Sequence, residues 1–315
     1  MKEKCSAILL VGNGINRAFE KSDDSIVPES ENWDFEGMSW ESIIRQLLFN
    51  YGNNDIKYED ISNLPMPLQI ITATKDNVNT AMKALSKSMC SEIISDEKMM
   101  FCKKLLSLSV DDIITTNYTY ELEQASGISP NKNAYYRARE YTKKVTKTED
   151  NFRLYTYSDL KSVSKRLWHI HGDAASPKSI VMGHYWYGKL LREIEERVSR
   201  FIKIYRSSKG QNEKQLNLSW VDSFLKNDVY MLGFGFDTSE LDLWWLACCK
   251  KRNFPGTKIC FYTDKQELDK GLEAMLASYN IEIHNEIAVK DSNYVKFYET
   301  VINDIEKKLK EGREK

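Results

Sequence analysis

No stretch of this sequence is apolar for long enough to cross a bilayer or to form a secretory signal core. The longest run near the start, Ala7 to Val11, falls far short of the ~15–20 residues that either would need. The chain is therefore expected in the cytoplasm, without a membrane partner. Its six cysteines include no C-x-x-C pair, so neither a zinc ribbon nor a thioredoxin-like redox site is expected, and no metal is assigned. An excess of one charge is also missing. Forty-five Lys plus Arg against 46 Asp plus Glu leave a formal net charge of -1, with no global field to hold a polyanion and no expected direct contact with nucleic acid. Proline is scarce (6) and glycine modest (14), while 42% of the 315 residues are hydrophobic, which excludes collagen-like, low-complexity and disordered chains.

What is present has the grammar of a doubly wound α/β fold. Ala7-Ile8-Leu9-Leu10-Val11 is too continuously apolar for a half-exposed strand and fits a central parallel one, and Gly12 and Gly14 end it before a helix begins near Ile15. The same pattern recurs at Asp228–Leu232, where Gly233-Phe234-Gly235-Phe236 precedes a helix from about Ser239 to Lys251. Further strands are expected at Asp112–Thr116, Leu167–His171, Thr257–Tyr262 and Ile281–His284. Helical spacing of apolar residues runs from Asn79 to Leu108 with a break near Ser95-Asp96, and again from Tyr294 to Ile305. The expected architecture is a Rossmann-like, mostly parallel sheet with helices on both faces and helical insertions at the rim. One domain spans residues 1–290, with insertions around 21–110, 121–165 and 190–218, and a C-terminal helix at 291–315 packs on it.

The residues able to carry chemistry cluster where these strands end. Gly12-Asn13-Gly14 follows a buried strand, so its backbone can approach a phosphate while the next helix offers unpaired amides, although GNGINR is not G-x-G-x-x-G. Asn13 and Asn16 are unusual choices for a purely structural turn, and Arg17 can meet a phosphate with two hydrogen bonds. Asn117, directly after DDIITT, both donates and accepts, which suits holding a ribose hydroxyl or a water; as a helix cap it would be ordinary. His171 closes another strand beside Gly172, where an imidazole can take a proton near pH 7. Strand alternation puts His169 on the same side, in the core or behind the site, and Asp173 either orients His171 or stabilises the turn. Asp237 and Asp242, after the second glycine turn, and Asp264, at the end of KICFYTD, could accept from ribose hydroxyls, cap a helix or face solvent.

In order along the chain, GNGIN at 12–16, TTNYT at 115–119, HG at 171–172 and GFGFD at 233–237 resemble the motif series of the sirtuin-like family. VGNG and GHYWYG are similar to its phage-abortive-infection branch. The resemblance implies a Rossmann-like domain that uses NAD+ as substrate. Gly12, Asn13, Gly14 and Ile15 would surround the dinucleotide, Asn117 would contact the nicotinamide-side ribose and the hydrolytic water, and His171 would act as the base. Gly233, Phe234 and Gly235 match the later nucleotide-binding turn, and Asp264 falls on the adenosine side. Sirtuin deacylases carry a four-cysteine zinc module that these cysteines do not form, so the implied activity is cleavage of NAD+ to nicotinamide and ADP-ribose. Protein deacylation, ADP-ribosyl transfer and a non-catalytic nucleotide-sensing or scaffold role are the alternatives. Members of this kind act in antiphage defence under the control of oligomerisation or a sensor, which implies a homo-oligomer and a regulatory protein partner responding to a protein or small nucleotide signal.

Overall fold

The computed structural model describes residues 7–19, 40–51, 56–75, 77–142, 153–208, 218–235, 240–290 and 293–314. Its strands are β1 (Ala7–Val11), β2 (Asp112–Thr115), β3 (Arg139–Tyr141), β4 (Thr156–Leu160), β5 (Lys165–His169), β6 (Asp228–Leu232), β7 (Ile259–Tyr262) and β8 (Ile281–His284). They form one sheet in the order β3-β4-β5-β2-β1-β6-β7-β8. From β5 to β8 every neighbouring pair is parallel, while β3–β4 and β4–β5 are antiparallel. Numbered among themselves, the six parallel strands run 3-2-1-4-5-6. This is the Rossmann order, and it reverses between β1 and β6.

Helices α1 (Gly14–Arg17), α2 (Trp40–Tyr51), α3 (Tyr58–Ile61), α4 (Met66–Thr74), α5 (Val78–Ser91) and α6 (Asp96–Ser107) lie between β1 and β2. Helices α7 (Glu121–Ala125) and α8 (Lys132–Arg137) precede β3, while α9 (His184–Ser208) and α10 (Trp220–Lys226) precede β6. Then α11 (Leu241–Asn253), α12 (Lys270–Ser278) and α13 (Tyr294–Glu314) follow β6, β7 and β8 in turn. The continuous apolar run of β1 is explained by coverage on both sides. Ile8 and Leu10 join a core with α9–α12, whereas Leu9 and Val11 join one with α6, α7 and α13. The break expected near Ser95 is an N-cap: Ser95 Oγ accepts from Lys98 N at 3.3 Å and opens α6.

Three expectations are corrected. Residues 121–165 do not only decorate the rim, because Arg139–Tyr141 and Thr156–Leu160 extend the sheet as its antiparallel edge. The stretch from 190 is not an insertion either. Leu190, Ile194, Val198 and Phe201 recur at helical spacing and are buried against the sheet, making α9 one of its covering helices. Strand β5 ends at His169 rather than His171, because Gly172 N donates to His169 O at 3.0 Å and turns the chain. Within the 21–110 region, α2, α4 and α5 pack beyond the strand ends, whereas α6 covers the sheet. Ile44, Leu47, Ile70 and Met82 form a third core that includes Tyr118 and Tyr120, beyond β2, and Ala174 and Ile180, beyond β5.

Candidate functional site

Leu232, Val11, Thr115 and His169 form one row across β6, β1, β2 and β5. Each motif singled out in the sequence leaves the sheet just past this row, so register gathers Gly233, Gly12–Gly14, Asn117 and His171 at its carboxyl edge. In Rossmann sheets that edge, at the reversal of strand order, is where ligands bind.

The two glycine turns lock onto each other there. Gly12 N donates to Leu232 O at 2.9 Å and Gly14 N to Gly233 O at 2.8 Å. A Cβ on Gly12 would lie 2.4 Å from Gly233 O, and one on Gly14 would lie 2.7 Å from the Tyr298 hydroxyl and 2.9 Å from Gly233 Cα. Those glycine faces are filled by protein, and Gly233 itself holds φ +77. Phe234 closes against Gly12, Ile15 is buried in the core and Arg17 is exposed, whereas a Cβ on Gly235 would meet nothing within 4 Å among the described residues. Asp264 lies close enough to act on Tyr298: burial pushes that phenol up, and the Asp264 charge adds to the shift. Phe236 and Asp237 lie outside the described residues.

A buried polar network joins the first turn to the end of β2. Thr115 Oγ1 donates to Val11 O at 3.0 Å and accepts from Asn117 N at 3.0 Å, which fixes where Asn117 leaves the strand. Asn117 Nδ2 donates to Glu121 Oε1 at 2.7 Å. Asn16 Nδ2 donates to Asn13 Oδ1 at 2.8 Å and lies 3.5 Å from Thr119 Oγ1. Burial opposes the charge on Glu121, but the Lys98 ammonium and hydrogen bonds with Thr119 and Asn117 outweigh it and hold the carboxyl below its ordinary range. Asn16, Asn117 and Glu121 are at most 4% exposed, yet Asn16 Oδ1, Asn117 Oδ1 and Glu121 Oε2 have no hydrogen-bond partner among the described residues.

The two histidines separate. His169 Nδ1 lies 2.7 Å from Asn117 O and its Nε2 lies 2.9 Å from Glu123 Oε1. His171 instead brings its Nε2 to 2.8 Å from Asp242 Oδ2, at the start of α11 on the opposite face of the sheet. Alternation fails for the pair because the strand has already ended. Burial disfavours a charged His169, but Glu123 outweighs it and pushes the imidazole up to about 9. Its stabilising contribution is therefore fully present below the ordinary value of 6.5 and is lost as pH rises through about 9. A Glu123→Gln variant is expected to lose a few kcal/mol at about pH 6, with a smaller deficit at about pH 9.5; denaturant titrations at the two pH values check this.

Asp173 is fully engaged. Its Oδ1 accepts from Tyr120, Arg139 and Ala175 N, and its backbone N donates to Ser179 Oγ, so it braces the turn after His171. Cross-strand register also gathers Cys260, Glu282 and His284, which sequence spacing did not reveal, with potential ligand atoms within 4.8 Å of one another. Two lysines occupy the same place: Lys258 Nζ lies 3.0 Å from Glu282 Oε2 and Lys308 Nζ 3.2 Å from His284 Nδ1. Burial pushes the Cys260 thiol up to about 12, so neither the charges nor the thiol favour a divalent cation.

Glu121 and Thr119 were not anticipated, although Glu121 stands four residues after Asn117, one helical turn away. For Asp242 the sequence offers only a ribose acceptor or a solvent-facing acid; it is fully buried.

A doubly wound sheet whose strand order reverses between β1 and β6, with a buried polar cluster beside the reversal, defines a Rossmann-like α/β protein. The chain belongs to the bacteriophage abortive infection AbiH family, whose model matches residues 18–263, more than three quarters of the sequence. The match includes Asn117, His171, Gly233 and Asp242 but starts beyond the first glycine turn and stops before Asp264. No curated protein matches the chain in a sequence search. No helix among the described residues is long and apolar enough to cross a membrane.

Proposed function

We propose that the chain is an NAD+ glycohydrolase, an abortive-infection effector that depletes cellular NAD+ by splitting it into nicotinamide and ADP-ribose. The observation that carries this reading is the trio of buried, unpartnered oxygens, Asn16 Oδ1, Asn117 Oδ1 and Glu121 Oε2. All three accept, so the ligand that satisfies them must donate. Ribose hydroxyls and the nicotinamide carboxamide do so, and an ionised phosphate does not. Asn13 and Asn16 then border the dinucleotide with Gly12, Gly14 and Ile15, and the exposed Arg17 faces its diphosphate. Gly233, Phe234 and Gly235 continue the same wall, packed against the first turn, Asp264 lies toward the adenosine, and Asp173 supports the site through its turn.

When the nicotinamide–ribose bond breaks, both bonding electrons leave on the ring nitrogen and positive charge develops on the ribose. The Glu121 carboxylate supplies a fixed negative field for that charge. Because a carboxylate can only accept, Glu121 takes the Asn117 NH2 and leaves Oδ1 to accept from the attacking water. The water oxygen bonds to the anomeric carbon and its proton passes to His171, so NAD+ and water yield nicotinamide, ADP-ribose and one proton. Control falls to self-association and to a regulatory or sensor partner that reads a protein or small nucleotide signal.

Purified chain incubated with NAD+ is expected to release nicotinamide and ADP-ribose in equal amounts, unchanged by an acylated peptide and unchanged by exhaustive chelation. Chromatography of the products checks this. Transfer of ADP-ribose to protein, release that requires the acylated peptide, or loss of activity on chelation would each replace the hydrolase reading. No release, even after co-expression with neighbouring genes, would favour a nucleotide-sensing role.

A further inference from the structure

We propose that Asp242 is the positioning residue for His171, fixing the imidazole as the tautomer whose Nδ1 is the base; this rests on the glycohydrolase reading. Asp242 stands in the first turn of α11, 71 residues from His171, and has no exposed surface. Its Oδ2 lies 2.8 Å from His171 Nε2, and its Oδ1 has no partner among the described residues. A carboxylate only accepts, so the imidazole hydrogen sits on Nε2 and the lone pair on Nδ1. No described residue hydrogen-bonds that Nδ1.

The rest of the surroundings hold the ring in that pose. Tyr187 meets the imidazole edge-on, with centroids 5.3 Å apart and planes at 72°. The backbone is pinned on one side by Val181 N donating to His171 O at 2.7 Å, and on the other by Gly172 at φ +84. Tyr118 lies beside this pair, its hydroxyl donating to Val181 O at 3.0 Å and lying within the field of Asp242. When Nδ1 takes the proton from water, the imidazolium forms against an already buried negative charge, so no solvent need reorganise. Asp242 also follows Gly235 by only seven residues in the sequence.

The test is Asp242→Asn in the full chain. An Asn amide at this place donates toward Nε2 and drives the hydrogen to Nδ1. The expected result is a fall in kcat of about 10²–10⁴-fold with KM changed by about twofold or less. Nitrogen-15 spectra of the histidines, assigned through a His171 variant, supply a readout that does not need turnover. Wild type is expected to carry its imidazole hydrogen on Nε2 of His171, and Asp242→Asn to move it toward Nδ1. A wild-type ring protonated on Nδ1, or a folded Asp242→Asn with unreduced kcat, would overturn the inference. If wild type releases no nicotinamide, the glycohydrolase reading fails while the spectra still decide whether Asp242 sets the tautomer.

Discussion

His171→Gln is expected to slow nicotinamide release by about 10²–10⁴-fold while leaving the chain folded. Gln can still donate to Asp242, so the buried carboxylate keeps a partner, but it offers no group able to take a proton. His171→Ala is a poorer probe, because it strands Asp242 in the interior, a change that costs about 3–5 kcal/mol in comparable buried pairs. Asn117→Ala is expected to lose about 10²–10³-fold through the missing Oδ1, with about 1–3 kcal/mol of destabilisation from the hydrogen bond that Glu121 forfeits. Initial rates of nicotinamide release, measured beside thermal unfolding of each variant, separate these effects. Undiminished turnover in a folded His171→Gln would remove the proposed base.

A large loss of stability is also expected from Gly172→Ala. Gly172 holds φ +84, and a Cβ there would fall 2.1 Å from Ser179 O and 2.3 Å from Ser179 C, atoms of backbone that cannot rotate away. Left-handed strain and overpacking together are worth about 2–5 kcal/mol, which lowers Tm by about 3–8 °C in a chain of this size. Activity should fall further than stability, because the same turn carries His171 to Asp242. Gly235→Ala is the control, since its Cβ meets nothing within 4 Å among the described residues, and it is expected to change stability by less than about 0.5 kcal/mol. Differential scanning calorimetry of the two variants decides the matter. Equal Tm values would mean that the turn relaxes and that its backbone is not what fixes the imidazole.

The places where this chain turns from strand to helix were legible in the sequence alone. Local chemistry writes them: a run of apolar residues buried on both faces, then a glycine where the backbone must come close. The paired row from Leu232 to His169 then follows from aligning those strands, so the gathering of Asn117, His171 and the two glycine turns at one edge was already implicit. The antiparallel edge was not. Arg139–Tyr141 and Thr156–Leu160 are short and polar, and an edge strand needs a neighbour to pair with more than it needs an apolar run of its own. Tertiary structure alone also decided what each site residue touches. The packing of Gly233 against Gly12 is not written in either glycine turn, and His171 reads as a companion of His169 until the chain turns after β5 and carries it to Asp242. The physical reason is separation along the chain: a contact across 71 positions depends on strand register and helix packing, which no neighbouring side chain encodes, so only the folded chain discloses it.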